Sequence, residues 1–240
     1  MSSASTYEDY LRHSDEVAGW VEPGFFKTLL QVEDMVRAHG VTGSVAEIGV
    51  HCGKFLLAMA LASGDRPAVV AVDNFENGPE IRASLERHVA RFYDPDRVTI
   101  VESDSMQLSS ADLLAKLPSR AKYFSVDGYH RAEFVINDLM VAQDVICDGG
   151  VVIVDDYLSP LVGVTEGVTR FLLQNAHQKI APFAYGENKL LMTTIIKRRA
   201  YFNHFRKLHP KLVSKIGGYL CAGINPDDKW FKTGWTSSAS

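Results

Sequence analysis

Apolar residues recur at helical spacing through GFFKTLLQVEDMVRAH, residues 24–39, and the run stops at Gly40, which predicts one amphipathic helix. Beyond it the pattern switches to short apolar runs alternating with longer amphipathic ones. SVAEIG (44–49), AVVAVD (68–73), RVTIVES (97–103), YFSVD (123–127) and GVVIVDD (150–156) read as five strands. Residues 53–63, 79–92, 110–116 and 131–146 read as helices. The last carries Val135, Leu139, Ala142 and Ile146 on one face and is expected to end at Gly149 and Gly150. Strands that are apolar throughout are buried on both faces, and strands alternating with helices pair in parallel through right-handed crossovers. The pattern therefore predicts an α/β fold built on a doubly wound sheet. After a helix near 160–176, KIAPFAYGENKLLMTTI predicts two strands joined by a tight turn at Gly186, Glu187 and Asn188.

On this reading the chain divides into an N-terminal helical segment (1–40), the main α/β domain (41–196) and a basic, aromatic C-terminal extension (197–240). A hydrophobic content of 46% supplies a core and excludes a disordered class. The net charge of −4 lacks the cationic surplus that displaces counterions, so a small-molecule partner is expected and no nucleic acid. The three cysteines are far apart and form no C-x-x-C pair, which argues against a zinc site or disulfide framework and for a reducing cytoplasm. The polar start lacks the features of a signal peptide, and no apolar run approaches the roughly 20 residues of a membrane span. Residues 197–215 read as a solvated basic helix broken near Pro210; alternatively they guide an anionic acceptor or touch a membrane surface. Trp230, Phe231 and Trp235 in the tail are expected to dock on the domain or on a partner subunit of a homo-oligomer.

In an open parallel sheet, ligands bind beyond the carboxyl ends of the strands, where the strand order reverses. All five predicted strands end in acid there: Glu47 to Gly53, Asp73-Asn74, Ser103-Asp104-Ser105, Asp127 to His130, and Asp155-Asp156-Tyr157. Gly49 and Gly53 let backbone approach a ligand and let a helix pack on its strand. Glu47 stands where a dinucleotide fingerprint has its first glycine; a carboxylate there repels a pyrophosphate and suits an ammonium or sulfonium group. Asp73, at the end of the second strand, is placed to bind ribose hydroxyls. His51, inside the first turn, is expected to point away from the ligand.

VAEIGVHCGKF, VVAVDNF, VESDS and FSVDGYHRAEFVINDLMVAQDVICDGGVVIVDDY resemble class I S-adenosylmethionine (SAM) dependent methyltransferases. The likeness is to the small-molecule O-methyltransferases of the macrocin O-methyltransferase and "methyltransferase domain 24" type, over roughly residues 40–195. It implies a Rossmann-like, seven-stranded, mostly parallel sheet with an antiparallel last strand. It also implies methyl transfer to a hydroxyl of a sugar or other small metabolite. Glu47, Gly49 and Gly53 would then line the methionine and ribose of SAM, Asp73 would hold the ribose, and Asp104 with Ser103 or Ser105 the adenine. Asp127 would sit beside the methionine of SAM and the reacting centre, binding the cofactor and serving the chemistry. Asp127, Asp155 and Asp156 would hold Mg²⁺, and His130 would be the general base. Metal-binding catechol-type enzymes often have Asn at the position adjoining Tyr157.

Each of these residues also has a structural reading: Asp127 as a helix cap, Asp155 and Asp156 as a solvated strand end, His130 as a surface histidine. Two further functions fit the same sheet. One is a non-catalytic SAM-binding protein. The other is an NAD-dependent oxidoreductase, which the missing first glycine and the terminal hairpin disfavour.

Overall fold

A computed structural model describes residues 5–159 and 162–224. The N-terminal segment forms α1 (Tyr7–His13) and α2 (Pro23–Ala38). Pro23 opens α2 at a position where its missing N–H costs nothing, and Phe25, Leu29, Val32 and Val36 make its buried stripe. The α/β rhythm then runs β1 (Ser44–Ile48), α3 (Lys54–Ala62), β2 (Val69–Asp73), α4 (Pro79–Phe92), β3 (Val98–Glu102), α5 (Ser110–Leu114), β4 (Ala121–Val126), α6 (Ala132–Val145), β5 (Ile146–Val154) and α7 (Val162–Gln174). It closes with β6 (Ile180–Gly186), β7 (Lys189–Thr194), α8 (Ile195–Leu208), β8 (Val213–Ile216) and β9 (Tyr219–Gly223).

The strands form one sheet of order β3-β2-β1-β4-β5-β7-β6-β9-β8. The first five pair in parallel, and β7 runs antiparallel to both β5 and β6. The order reverses between β1 and β4, which is where a ligand site is expected. The doubly wound sheet with its antiparallel hairpin is thus as predicted from the sequence, but it has nine strands rather than seven. β9 pairs in parallel with β6 and β8 closes on β9, so the extension covers an edge that β6 would otherwise expose.

Strand residues alternate between two cores. Val45, Ala71, Tyr123, Ile153 and Leu191 face α1 to α4 and α8; Ala46, Val70, Phe124, Val152 and Met192 face α5, α6 and α7. A buried polar cluster ties α2 to β4: Lys122 Nζ lies 2.9 Å from Glu33 Oε2, and the Tyr123 hydroxyl donates to the same oxygen at 2.7 Å. Removing one partner of such a cluster leaves an uncompensated charge, which makes it a specific anchor for the N-terminal segment.

Two sequence expectations need correction. α6 ends at Val145, and Gly149 and Gly150 lie inside β5 instead of closing the helix. The β4–β5 register jumps from Ala121↔Ile146 to Tyr123↔Val151, and a Cβ on Gly150 would sit 2.9 Å from the Ala121 carbonyl. Gly150 serves this strand irregularity, while a Cβ on Gly149 would meet Val41 and Tyr201, so both answer to segments remote in sequence. The basic helix α8 is also half buried, with Tyr201, Phe202 and Phe205 against the sheet, and the Tyr201 hydroxyl donates to Gly149 O at 2.6 Å. It continues from the end of β7 farthest from the acidic strand ends. The tail aromatics Trp230, Phe231 and Trp235 lie outside the described residues. No helix among the described residues is long and apolar enough to cross a membrane.

Candidate functional site

The strand ends open into one cleft of about 640 Å³. Hydrogen bonds continue the sheet one residue past its strands: Gly49 N donates to Val72 O (2.8 Å), Asp127 N to Ile48 O (2.9 Å), Asp155 N to Val126 O (3.0 Å) and Ser103 N to Asp73 O (3.0 Å). The backbone of every acidic turn is therefore fixed by the fold itself.

Gly49 turns sharply at φ +85°, and a Cβ there would lie 1.9 Å from the Asp127 carbonyl oxygen. Only a residue without a side chain lets the ends of β1 and β4 approach this closely. Gly53 has φ +88° at the start of α3, where a Cβ would meet Leu85 of α4 at 2.7 Å; it lets helices pack and does not line the cleft.

Glu47 lines the cleft from within β1 and is 1% exposed. Neither carboxylate oxygen has a well-aligned hydrogen-bond partner, and burial pushes its pKa up to about 8. An unpaired buried acid is costly to ionise, so a cation against Glu47 would relieve it. Asp73 is held rigidly: His51 N donates to its Oδ2 and Phe75 N to its Oδ1, each at 2.8 Å. Both oxygens retain further acceptor capacity. Asp104 caps the short turn Ser105–Gln107 by accepting from Met106 N at 2.9 Å, the Ser103 hydroxyl donates to Asp104 O at 3.0 Å, and Asn137 Nδ2 donates to Ser105 O at 2.8 Å. Beneath them Asp138 is buried, which pushes its carboxyl up to about 6.

At the β4 and β5 ends the predicted acids separate. Asp127, His130 and Asp156 each offer a ligand atom, all within 4.8 Å of one another. His130 Nε2 lies 3.0 Å from Asp156 Oδ2, and this contact raises the imidazole pKa and lowers that of the carboxyl. Burial, together with the charges of Asp155, Glu47 and Asp156, pushes the Asp127 carboxyl well above the usual carboxylate range. Asp127 does not cap α6, whose N-cap is Arg131. The Asp155 carboxylate does not join the group; it pairs with Lys189 at the start of β7. The backbone explains the parting, because Asp156 leaves the strand at φ +54°.

Sequence reasoning passed over several residues here. Lys189 is completely buried, its ammonium 5.3 Å and 4.8 Å from the Phe25 and Phe55 ring centroids. Its sequence signal is a charge directly before the apolar run Leu190-Leu191-Met192. Asn188 donates to Asp156 Oδ1 at 2.6 Å. The N-terminal segment also reaches the site: Trp20, 87% exposed, and Glu22 line the cleft. His51 lines it as well, contrary to expectation, with its ring centroid 6.0 Å from that of Trp20. Lys54 Nζ donates to Gly19 O at 3.3 Å and holds this segment down. No residue of α8 lines the cleft, so that helix is not placed to guide an acceptor into it.

Residues 46–157 match the model of a family described as "Methyltransferase domain", a span from β1 to Tyr157 that contains all five strand ends. No curated protein matches the chain in sequence. Similar solved structures include CalS11, a TDP-rhamnose 3′-O-methyltransferase of calicheamicin biosynthesis, at 19% identity over 70% of this chain and 78% of that one, with a TM-score of 0.52. The O-methyltransferase NovP is 16% identical over 72% and 80%, with a TM-score of 0.52. An O-methyltransferase from Bacillus cereus in complex with SAH is 16% identical over 78% and 89%, with a TM-score of 0.59. At such identities the structures speak for the fold, and the family match agrees with the resemblance read from the sequence motifs.

Proposed function

We propose that this chain, whose residues 46–157 match the model of a methyltransferase domain, transfers a methyl group from SAM to a hydroxyl of a small-molecule acceptor. The observation that carries this reading is the convergence, in one cleft at the sheet's switch point, of a side-chain-free turn at Gly49, the Asp73 carboxylate and the Asp127–His130–Asp156 group.

The residues fit the cofactor. Glu47 is a buried acid with no well-aligned hydrogen bond, which suits a cationic ammonium; Gly49 leaves room for close approach; and Asp73 is a preorganised acceptor for a pair of hydroxyls. Ser103, Asp104 and Ser105 lie beyond Asp73 along the same row of strand ends and would face the base. Bound SAM supplies an already activated methyl group, so the chain's task is alignment and proton removal. Asp73→Ala should weaken SAH binding about 10- to 100-fold, the loss expected for charged hydrogen bonds worth roughly 1.5–3 kcal/mol. Calorimetric titration with SAH checks this; unchanged affinity would move the ribose site elsewhere.

Asp127, His130 and Asp156 also fit a divalent cation. Two carboxylates suit Mg²⁺ or Mn²⁺, and the imidazole tilts the set toward Mn²⁺. Such an ion lowers the pKa of a hydroxyl bound to it. The His130–Asp156 contact favours a second reading, in which Asp156 orients His130 as a metal-free general base. Exhaustive EDTA treatment separates the two. Activity lost and restored by Mn²⁺ or Mg²⁺ supports the ion, whereas activity that survives chelation leaves the dyad as the base.

A further inference from the structure

We infer that the β6–β7 turn, Glu187-Asn188-Lys189, positions the acids of the site, with Lys189 pairing Asp155 away from the reacting centre and Asn188 holding Asp156 against His130. This deepens the proposed methyltransferase reading and rests on it. Two consecutive residues, Asn188 and Lys189, reach two separate acids of the site, and Glu187 before them packs on α2. Glu187 lies against the first turn of α2, where a Cβ on Gly24 would come within 2.7 Å of its carboxylate. Asn188 donates to Asp156 Oδ1 (2.6 Å), and its own Oδ1 accepts from Leu158 N (3.2 Å). Asn188 O also accepts from Tyr157 N at 2.9 Å, so both side chain and backbone fix the chain just after β5. Lys189, without solvent contact, pairs with Asp155.

The physical case is one of charge and direction. Glu47, Asp127, Asp155 and Asp156 crowd one end of the sheet, and among the described residues the one Lys or Arg paired to them is Lys189. An ammonium enclosed between two aromatic rings is stabilised by their faces but has no water, so its pairing with Asp155 is strongly favoured. The pair holds the Asp155 carboxylate in place, apart from the group formed by Asp127, His130 and Asp156. Asp156 has one oxygen on Asn188 and the other on His130, so the amide sets which way the carboxylate faces. The turn itself needs left-handed backbone, with φ of +49° at Glu187 and +62° at Asn188.

Two sets of variants test the two halves. Glycine accepts φ +62°, so Asn188→Gly removes the amide and keeps the turn. It should lower kcat about tenfold while SAH affinity, set on the far side of the cleft, stays within twofold. Unchanged kcat, or an equal loss of SAH affinity, would show that Asn188 only shapes the turn. For Lys189, the variants are K189M, D155N and the double variant K189M/D155N, each checked by circular dichroism and thermal melting. Either single change leaves a buried charge unpaired and should cost at least tenfold in kcat or prevent folding. The double change removes both charges and should recover most of that loss. A double variant as impaired as the worse single one would assign Asp155 a direct role at the reacting centre and overturn the proposal. Failure of wild-type protein to bind SAH would instead sink the methyltransferase reading.

Discussion

His130→Ala should lower kcat by about 10²-fold or more, the usual contribution of a positioned general base, and barely change SAH affinity. The imidazole stands just beyond β4 with Nε2 3.0 Å from Asp156, and it lines the same cleft as Asp127. Both readings of the chemistry pass through it, as ligand to a divalent ion or as base held by Asp156. The side chain is 37% exposed, so its removal should leave stability within about 0.5–1 kcal/mol and the effect can be read as chemistry. The measurement is SAH release over a panel of hydroxylated acceptors, paired with calorimetry for SAH. A variant with wild-type kcat would make His130 a packing residue, and a loss confined to SAH affinity would move it into the cofactor site. Titrating the same variant with Mn²⁺ tells ligand from base, since only loss of a ligand weakens ion binding.

Gly49→Ala should destabilise the protein by about 2–4 kcal/mol and abolish measurable SAH binding. A Cβ at this position lies 1.9 Å from the Asp127 carbonyl, a backbone atom of the neighbouring strand end that cannot rotate away. β4 must shift, and Asp127 shifts with it. The left-handed backbone adds roughly 1–2 kcal/mol for any residue bearing a Cβ. Gly40→Ala separates the two effects, because Gly40 has φ +68° with nothing within 4 Å of its would-be Cβ. The melting temperature of Gly49→Ala should fall by roughly 10 °C, and that of Gly40→Ala by only a few degrees. Equal losses in the two would show that the close approach of β1 to β4 carries no weight.

The five parallel strands, their helices and the acidic residue at each strand end were all legible in the sequence. Each rests on a local rule: period-2 or unbroken apolar runs for strands, 3.6-residue spacing for helices, and polar residues where a buried strand reaches solvent. The hairpin at Gly186 to Asn188 was equally local, since its turn residues announce left-handed backbone. The motifs around Gly49, Asp127 and Asp155 carried the family resemblance for the same reason.

What the sequence left open concerns partners far apart in the chain. Gly149 and Gly150 look like a helix stop, because nothing local says that Val41 and Tyr201 must pass within contact of the first and Ala121 of the second. The two extra strands carry little local signal because β8 and β9 are short and partly exposed, and β9 pairs where β6 offers an edge. The adjacent acids Asp155 and Asp156 read as one pair. Only the fold sends the first to Lys189 and the second to Asn188 and His130. Sequence thus determined which residues stand at the rim of the sheet. Tertiary structure decided which of them share a charge, because electrostatic pairing depends on distances of a few ångströms between segments about thirty residues apart, and no periodicity encodes those.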